Sequence, residues 1–296
     1  MDENILMQRA RAFDYLFDAL VVTDLQGNIT DWNKGSEELY GYSKKEAIGQ
    51  PVCILHVPED TEHVTAEVIS AIEKYGKWTG EVRMLHKNGS IGWIESMCVP
   101  LFDDNHKMCG ALGINRNITE RKKETENLAH LANYDPLTDI PNRHLLLDRI
   151  AHLSAQSKRN ETRYALLYID LDKFKSINDH KGHQLGDKVL KETARRLLSS
   201  IRQSDTIARI GGDEFIIILE GIIDKESISK IAEKLIHVLS TDFIISNETF
   251  SISCSIGIAT YPENGTNSDA LLSASDKAMY KAKRKGRGCF EFYQKD

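Results

Sequence analysis

The sequence predicts an α/β chain of two domains that are joined by a charged helix. In the C-terminal half, helical and strand patterns alternate along the chain, which is typical of α/β proteins. In the N-terminal part, short strand patterns surround a few short helical ones. A stretch rich in charge, residues 119–133, lies between the two parts and is expected to be helical. The length of 296 residues is sufficient for two separate cores.

The composition limits the classes of protein to which this chain can belong. Its formal net charge of −6 disfavours a nucleic-acid-binding protein, which usually carries a basic face. Five cysteines are scattered without a Cys-x-x-Cys pair, which indicates reduced thiols. No apolar run approaches the roughly 20 residues of a membrane span, and no signal-peptide pattern begins the chain. We therefore expect a cytoplasmic protein with no membrane span.

The first 20 residues carry apolar side chains at helical spacing, among them Phe13, Leu16 and Leu20. This spacing predicts an amphipathic helix over 4–20 that packs on a neighbouring domain or on a second copy of the chain. Two strand patterns then flank a turn at 24–28.

The rest of the N-terminal part predicts strands and short helices. A short helical patch ends near Gly41, and two strand patterns at 78–85 and 91–99 flank a hairpin turn at 87–89. A last strand pattern begins at Met108.

The C-terminal part alternates regularly. Helical patterns occupy 142–158, 186–201, 224–239 and 268–284, and strand patterns occupy 164–169 and 249–261. A hairpin is predicted at 206–220, because two β-branched runs flank Gly211 and Gly212. Adjacent glycines supply the positive φ that a tight turn needs.

Acidic residues stand at the ends of two of these strand patterns. Asp170 follows a buried strand, and Asp213 and Glu214 lie in the hairpin turn. Acids at the carboxyl end of a buried strand occupy the usual place of a site in α/β sheets. Carboxylates of this kind suit Mg²⁺ together with substrate phosphates, which favours metal-assisted phosphoryl or nucleotidyl chemistry. Taken alone, a Gly-Gly-Asp turn is more often a plain turn with solvated acids.

The motifs of the C-terminal part resemble those of the GGDEF diguanylate cyclases. The resemblance covers roughly residues 133–296 and depends on motifs in the family's order and at its spacings. These motifs are Gly211-Gly-Asp-Glu-Phe215, Asp135-Pro-Leu-Thr-Asp-Ile-Pro-Asn-Arg143, Asp170-Leu-Asp-Lys-Phe-Lys-Ser-Ile-Asn178, Gly182-His-Gln-Leu-Gly-Asp187, Asp276-Lys-Ala-Met-Tyr-Lys-Ala-Lys283 and Gly286-Arg287.

Residues 10–118 resemble the PAS sensor fold in their order of hairpin, short helices and three strands. Supporting patches are Asp24-Leu-Gln-Gly-Asn-Ile29, Trp32-Asn33, Leu39-Tyr-Gly-Tyr42, Pro58-Glu-Asp60, His86-Lys-Asn-Gly89 and Asn117-Ile-Thr-Glu-Arg121. The PAS ligand stays unknown, with flavin, haem or a small molecule as alternatives. The sequence around Cys53 does not resemble the flavin-adduct motif.

The two resemblances divide the chain into four segments. We expect an N-terminal amphipathic helix (1–20), a PAS fold (21–118), a linker helix (119–133) and a GGDEF domain (134–296). The last is a nucleotidyl-cyclase-like domain with a central sheet flanked by helices, so the fold class is α/β (α+β). The linker helix is either solvated or a short coiled coil between paired chains, and it shows too few heptads to decide.

The GGDEF resemblance implies a reaction in which two GTP molecules become cyclic di-GMP and two pyrophosphates. It implies Mg²⁺ or Mn²⁺ as the cofactor and a homodimer formed through the PAS domain and the linker helix, because each domain holds one GTP. The implied metal ligands are Asp170, the Leu171 carbonyl, Asp213 and Glu214. The implied catalytic residues are Asp213, Glu214 and Lys175.

The same resemblance implies the substrate contacts. Asn178 and Asp187 match the guanine-reading residues, although alone they suit a loop cap and an acid at a helix N-terminus. Lys283 alone is an ordinary solvated lysine. The full implied set is Asn178, Asp187, Phe174, Lys283, Arg287, Gly211 and Gly212.

Arg202 and Asp205 match an inhibitory site at which the family binds its product. Arg can hold phosphate with two donors and stack on guanine, and Asp can accept from the base edge. An Arg and an Asp at this spacing also occur by chance in many helices.

Two other functions remain open. A degenerate member could bind GTP or cyclic di-GMP as a receptor, although Asp170, Asp213, Glu214, Asn178 and Asp187 are all present. A nucleotidyl cyclase of related fold could make a mononucleotide.

Overall fold

The computed structural model describes residues 3–221, 224–245 and 248–295. The chain divides into two units, residues 1–127 and 128–296. Each unit has its own sheet and its own core. No helix in these three described ranges has the length and apolar character needed to cross a membrane.

The N-terminal unit contains an antiparallel sheet with helices beside it. Its helices are α1 (Glu3–Tyr15), α2 (Lys34–Tyr40), α3 (Lys44–Ala47) and α4 (Thr61–Tyr75), with 3₁₀ turns at Val52–Leu55 and Pro58–Asp60. Its strands are β1 (Ala19–Thr23), β2 (Ile29–Trp32), β3 (Trp78–Leu85), β4 (Ile91–Phe102) and β5 (Met108–Asn117). They lie in the order β2-β1-β5-β4-β3.

The predicted helix over 4–20 is wrong after Tyr15, where α1 ends. Leu20 lies instead in β1 and pairs with Ile114 of β5. Ala19 and Leu20 are buried in that pairing, whereas Phe17 is 92% exposed. Burial on the sheet therefore outweighs the helical spacing of the apolar residues.

One buried amide joins the three elements at this corner. The Asn33 side chain accepts from the backbone N–H of Leu20 and of Ser36, so it caps α2 and holds β1. Its amide nitrogen donates to the carbonyls of Phe13 and Asp18, on either side of the end of α1. These hydrogen bonds explain why Asn33, although polar, is fully buried next to Trp32.

The second unit begins within α5 (Thr119–Asn133), and it adds helices and strands that alternate along the chain. Its helices are α6 (Arg143–Asn160), α7 (Phe174–Lys181), α8 (His183–Ser200), α9 (Lys225–Ser240) and α10 (Ser268–Lys285). Its strands are β6 (Tyr164–Asp172), β7 (Thr206–Gly211), β8 (Glu214–Glu220), β9 (Phe243–Ile245), β10 (Glu248–Phe250), β11 (Ser253–Tyr261) and β12 (Phe290–Phe292).

The main sheet of this unit has the order β12-β11-β6-β8-β7. The pair β11–β12 is parallel, and the other pairs are antiparallel. The central strand β6 is buried along its whole length. Its side chains alternate between two apolar clusters, with Leu167 and Ile169 in one and Leu166 and Tyr168 in the other. The sheet is therefore covered on both faces, and Asp170 lies buried near the end of its central strand.

The predicted hairpin at 206–220 is confirmed as β7 and β8, and the mixed α+β class is confirmed. Three predicted helices begin at side-chain caps, since Asn142, Asp224 and Asn267 each accept from a backbone N–H of the first turn. The predicted strand 249–261 is wrong as one element, because β10 pairs with β9 and β11 pairs with β6. The sequence prediction lacked α7, β9 and β12.

Candidate active site

The register of the central sheet places two of the predicted acids side by side. Asp170 of β6 lies directly opposite Glu214 of β8. The backbone N–H of Leu171 donates to the carbonyl of Asp213 at 3.2 Å. The turn that joins β7 to β8 is thereby held against the end of β6, and Asp170, Leu171, Asp213 and Glu214 form one group.

The carboxyl group of Asp170 is held in an unfavourable setting for its charge. Its side chain is 11% exposed. Burial, more than any other factor, raises the pKa of Asp170 to about 6, and the negative charges of Asp213 and Glu214 act in the same direction. This corner of the sheet therefore accumulates negative charge that a cation would stabilise.

A lysine from α10 partly supplies that positive charge. The Nζ atom of Lys283 lies 2.6 Å from Oδ2 of Asp170. α10 packs on β11 and on β6, which brings the last turn of this helix over the acids. Lys283, which the sequence predicts as a site residue, thus contacts the acid group directly. Its role as a phosphate contact stays a prediction.

The glycines of the signature turn have the backbone that the sequence predicts. Gly211 and Gly212 both have positive φ, 153° and 49°. A Cβ atom built on either would meet no heavy atom within 4 Å. The turn is therefore open on its outer side, where a phosphate could approach the backbone closely.

Two residues that hold this turn were missed in the sequence analysis. The Arg209 guanidinium donates to the Gly212 carbonyl from Nε at 2.9 Å and to Oδ1 of Asp135 at 2.8 Å. Burial acts to raise the pKa of Asp135, but hydrogen bonds from Thr138 and Arg209 outweigh it, and the pKa lies below its usual value. The opening motif at 135–143 is thus connected to the signature turn by a partly buried ion pair.

Asp172 is a third residue that the sequence analysis did not assign. Its carboxylate accepts from the hydroxyls of Ser253 and Ser255, at 2.7 and 2.8 Å, and from the Gly288 N–H at 3.1 Å. The Nε atom of Arg287 lies 3.9 Å from the same carboxylate. Asp172 therefore holds the loop after α10, in which Arg287 has a positive φ of 66°. In the sequence, Asp172 could have been recognised as the second acid after the strand pattern at 164–169.

The predicted guanine-reading residues lie at the corner between α7 and α8. Asn178 is on α7, and its Oδ1 atom is buried without a hydrogen-bond partner among the described residues. A Cβ atom on Gly186 of α8 would lie 1.9 Å from that oxygen, so only glycine leaves it room. Asp187, the next residue, is exposed. Phe174 lies in the apolar core beside Gly186 and so supports this corner.

Lys175, Arg202 and Asp205 are the remaining site residues that the sequence predicts. Lys175 is exposed on α7, and its role at the phosphates stays a prediction. Arg202 and Asp205 lie before β7, where Asp205 accepts from the N–H groups of Arg202 and Glu220. Asp205 thus closes this loop, and its role in product binding stays a prediction.

The donor set of the acid group fits a small hard cation. Mg²⁺ binds through one or two carboxylates together with water and substrate phosphates. In the part of the chain that the structure describes, no three His, Cys, Asp or Glu side chains form a closed metal cluster. The acid group offers three carboxylates and the Leu171 carbonyl beside an open turn, which are donors of this kind.

The raised pKa of Asp170 leads to a prediction about stability. A folded-state pKa of about 6, above the ordinary value, means that ionised Asp170 destabilises the fold as pH rises through about 6. Without divalent metal, Asp170→Asn should raise the free energy of unfolding at about pH 8 by on the order of 2–3 kcal/mol. The gain should disappear below about pH 4, where the carboxyl is protonated in both states.

Urea unfolding at several pH values measures this effect. Asp179→Asn, which changes an exposed acid on α7, is the matched control and should shift the curve little. A destabilised Asp170→Asn protein at high pH would contradict the role of charge at this position.

Comparison with known proteins shows which families the two parts of the chain match. The family model described as "Diguanylate cyclase, GGDEF domain" matches residues 132–289. The model described as "PAS fold" matches residues 29–115. Both resemblances inferred from the sequence are confirmed.

Named relatives agree with these matches. The probable diguanylate cyclase DgcE of Escherichia coli is 29% identical over 99% of this chain, which covers 27% of DgcE. The bifunctional diguanylate cyclase/cyclic di-GMP phosphodiesterase MucR of Pseudomonas aeruginosa is 42% identical over 60% of this chain and 26% of MucR. The chain thus spans about a quarter of the length of these curated relatives.

A solved structure matches the second unit. The GGDEF domain of TpbB (YfiN) from Pseudomonas aeruginosa is 38% identical, covers 55% of this chain and 95% of that chain, and has a TM-score of 0.53. The family model alone matches more than half of the chain. The chain therefore belongs to the GGDEF-domain diguanylate cyclase family, with a PAS domain ahead of its GGDEF domain.

Proposed function

We propose that this chain is a diguanylate cyclase that condenses two GTP molecules into cyclic di-GMP and releases two pyrophosphates. The observation that carries the proposal is the β6–β8 register, which sets Asp170 opposite Glu214 and brings the Asp213 turn against Leu171. Family membership supplies the reaction, and this geometry supplies an acid group suited to nucleotide phosphates.

The proposed cofactor is Mg²⁺ or Mn²⁺, held by Asp170, the Leu171 carbonyl, Asp213 and Glu214. Bound by these residues, a divalent ion would neutralise charge on the departing pyrophosphate and would make the attacking hydroxyl more acidic. Lys283 and Arg287 contribute positive charge beside the triphosphate. The exposed Lys175 is assigned to the same phosphates.

Recognition of guanine is assigned to the corner between α7 and α8. The unpartnered Oδ1 atom of Asn178 supports this assignment, because a buried acceptor without a partner costs free energy that a base donor would recover. Asp187 can accept from the remaining donors of the guanine edge. Adenine would leave these groups unpaired and is therefore rejected.

A single GGDEF domain holds one GTP in this proposal, so two chains must face each other. Exposed apolar side chains on and after α1 and on α5 favour pairing through these segments, with Phe17, Leu128 and Leu131 among them. We further propose that the PAS domain, in response to a ligand, controls how often the two sites meet. The proposed location is the cytoplasm, where GTP is supplied.

The test is incubation of the purified chain with GTP and Mg²⁺, followed by identification of the product by mass. Cyclic di-GMP supports the proposal. A cyclic mononucleotide would replace it with a mononucleotide cyclase. Tight binding of GTP or cyclic di-GMP without turnover would make the chain a receptor.

Product inhibition is the finer part of the proposal, assigned to Arg202 and Asp205. Because Asp205 closes its own loop with backbone hydrogen bonds, Arg202 is the better residue to change. Arg202→Ala should weaken cyclic di-GMP binding by about tenfold or more, since Arg–phosphate hydrogen bonds are charge-assisted. The plateau of product accumulation should rise while the initial rate is retained.

Calorimetry with cyclic di-GMP measures this binding directly. Lys191→Ala, which removes a positive charge from the exposed face of α8, is the control for a general loss of charge. Equal product affinity in the wild type and in Arg202→Ala would remove the inhibitory site from the proposal.

A further inference from the structure

The N-terminal unit contains a cavity between α4 and the sheet that is partly open to solvent. Its volume is about 310 Å³. Residues of α4, of β3 and β4 and of β5 line it, among them Val64, Val68, Ile72, Trp78 and Ile94. Most of this lining is apolar.

Helix α4 packs poorly because of this cavity. Of its 15 residues, Val64 is the one that is buried. Val68, Ile69 and Ile72 continue the same helical face and line the cavity. An apolar helical face of this kind normally packs against a core, so the cavity occupies the place of missing core atoms.

Two residues of the cavity wall each carry a buried polar atom that has no partner among the described residues. The indole Nε1 of Trp78 and the imidazole Nδ1 of His56 are buried and make no hydrogen bond to any described residue. The indole ring extends over Gly80, where an added Cβ would lie 2.5 Å from the ring. Buried donors of this kind are nearly always paired in proteins, which points to a partner that the chain does not contain.

The wall carries little charge that could hold an ion. Among the lining residues, all of them in the described ranges, none is Lys or Arg. Burial lowers the pKa of His56, which favours its neutral form. The Asp24 carboxylate is engaged with Asn28 in its own turn. An anionic ligand would therefore enter without a counter-charge, at a large desolvation cost.

The volume limits the size of the occupant. A dry cavity of about 150 Å³ holds benzene, so about 310 Å³ holds on the order of a dozen non-hydrogen atoms. Haem and flavin are much larger than this. The cavity also lies at the lower end of the roughly 300–1,000 Å³ of small-molecule pockets.

We propose that this cavity binds an uncharged, mainly apolar small molecule with an oxygen acceptor that takes the Trp78 indole N–H. Its apolar body completes the core beneath α4, and a polar group on it meets Nδ1 of His56. Binding of this molecule requires no cyclase activity.

The test compares three probes of nearly equal shape by calorimetry on the full chain without GTP. 2-Acetylnaphthalene carries a neutral acceptor, 2-isopropylnaphthalene carries none, and 2-naphthoate is an anion. We expect the ketone to bind about fivefold or more tightly than the hydrocarbon, because it pairs the indole N–H. The carboxylate should bind at least about tenfold more weakly than the ketone.

Two variants isolate the indole donor. Trp78→Phe keeps an aromatic ring and removes the N–H, so the preference for the ketone over the hydrocarbon should fall to about onefold. Trp93→Phe is the control, because the Trp93 ring lies under Lys122 and does not line the cavity. Its preference should equal that of the wild type.

Three results would each overturn the proposal. They are no measurable binding of the ketone, equal binding of the carboxylate, and an unchanged preference in Trp78→Phe. Haem or flavin absorption by the purified chain would overturn it as well. None of these results affects the cyclase proposal, which the product of GTP turnover tests separately.

Discussion

Replacing Asp213 with alanine is expected to lower the rate of cyclic di-GMP formation by about 10³-fold or more. The turn contacts β6 through the Asp213 carbonyl, which accepts from the Leu171 N–H, and alanine keeps that carbonyl. The side chain is only half buried, so its loss removes little packing. The loss of rate should therefore occur in a folded protein.

The measurement is initial rate at saturating GTP and Mg²⁺, with circular dichroism and thermal unfolding beside it. Glu233→Ala removes an exposed acid from α9 of the same unit and serves as the matched control. Turnover within tenfold of the wild type in Asp213→Ala would refute the assignment of this acid to the reaction.

Activity is expected to vary periodically when residues are inserted between Asn127 and Leu128 of α5. A helix turns about 100° per residue, so one inserted residue rotates the GGDEF domain relative to the PAS domain by about that angle. A seven-residue insertion returns the GGDEF domain close to its original orientation relative to the PAS domain. In the proposed pair of chains, a bias of a few kcal/mol between two arrangements would change activity by orders of magnitude.

The contacts at the two ends of α5 explain why rotation should be transmitted. At its start, Arg121 and Lys122 pair with Glu81 of β3. At its end, Asn142 donates from its side chain to the Ala132 carbonyl and from its backbone to the Asn133 carbonyl. Each end is thus fastened to its own unit, and the insertion point lies between them.

Rates are measured for insertions of one to seven residues, and the same lengths rich in glycine serve as flexible controls. A smooth, monotonic dependence on length in the helical series would show that α5 only tethers the two units. The cyclase assignment would survive that outcome, and the role of α5 in gating would not.

The sequence was sufficient to predict the elements whose signals lie within a short stretch of the chain. The hairpin at 206–220 was predictable because two β-branched runs and two glycines specify strand, turn and strand within one short stretch of chain. The helices after Asn142, Asp224 and Asn267 were predictable from their helical patterns, and the structure shows that each begins at a side-chain cap. Asp170, Asp213 and Glu214 were predicted as one group from their places at a strand end and in a turn, and the family motif supported that prediction. The strand register sets Asp170 opposite Glu214.

Contacts between distant segments account for the features that the sequence could not predict. The end of α1 depends on the pairing of β1 with β5, which lies at the far end of the same unit's sequence. Arg209 and Asp172 act through partners 74 and 81 residues away, Asp135 and Ser253. Short strands such as β9 and β12 carry three residues each, too few for a periodic signal.

The cavity beneath α4 has a consequence for the response of the protein to hydrostatic pressure. Pressure favours states of smaller volume, and unfolding eliminates internal voids. The N-terminal unit has a mainly apolar cavity of about 310 Å³ between α4 and its sheet. A molecule that fills this cavity should therefore make the unfolding of the N-terminal unit less sensitive to pressure.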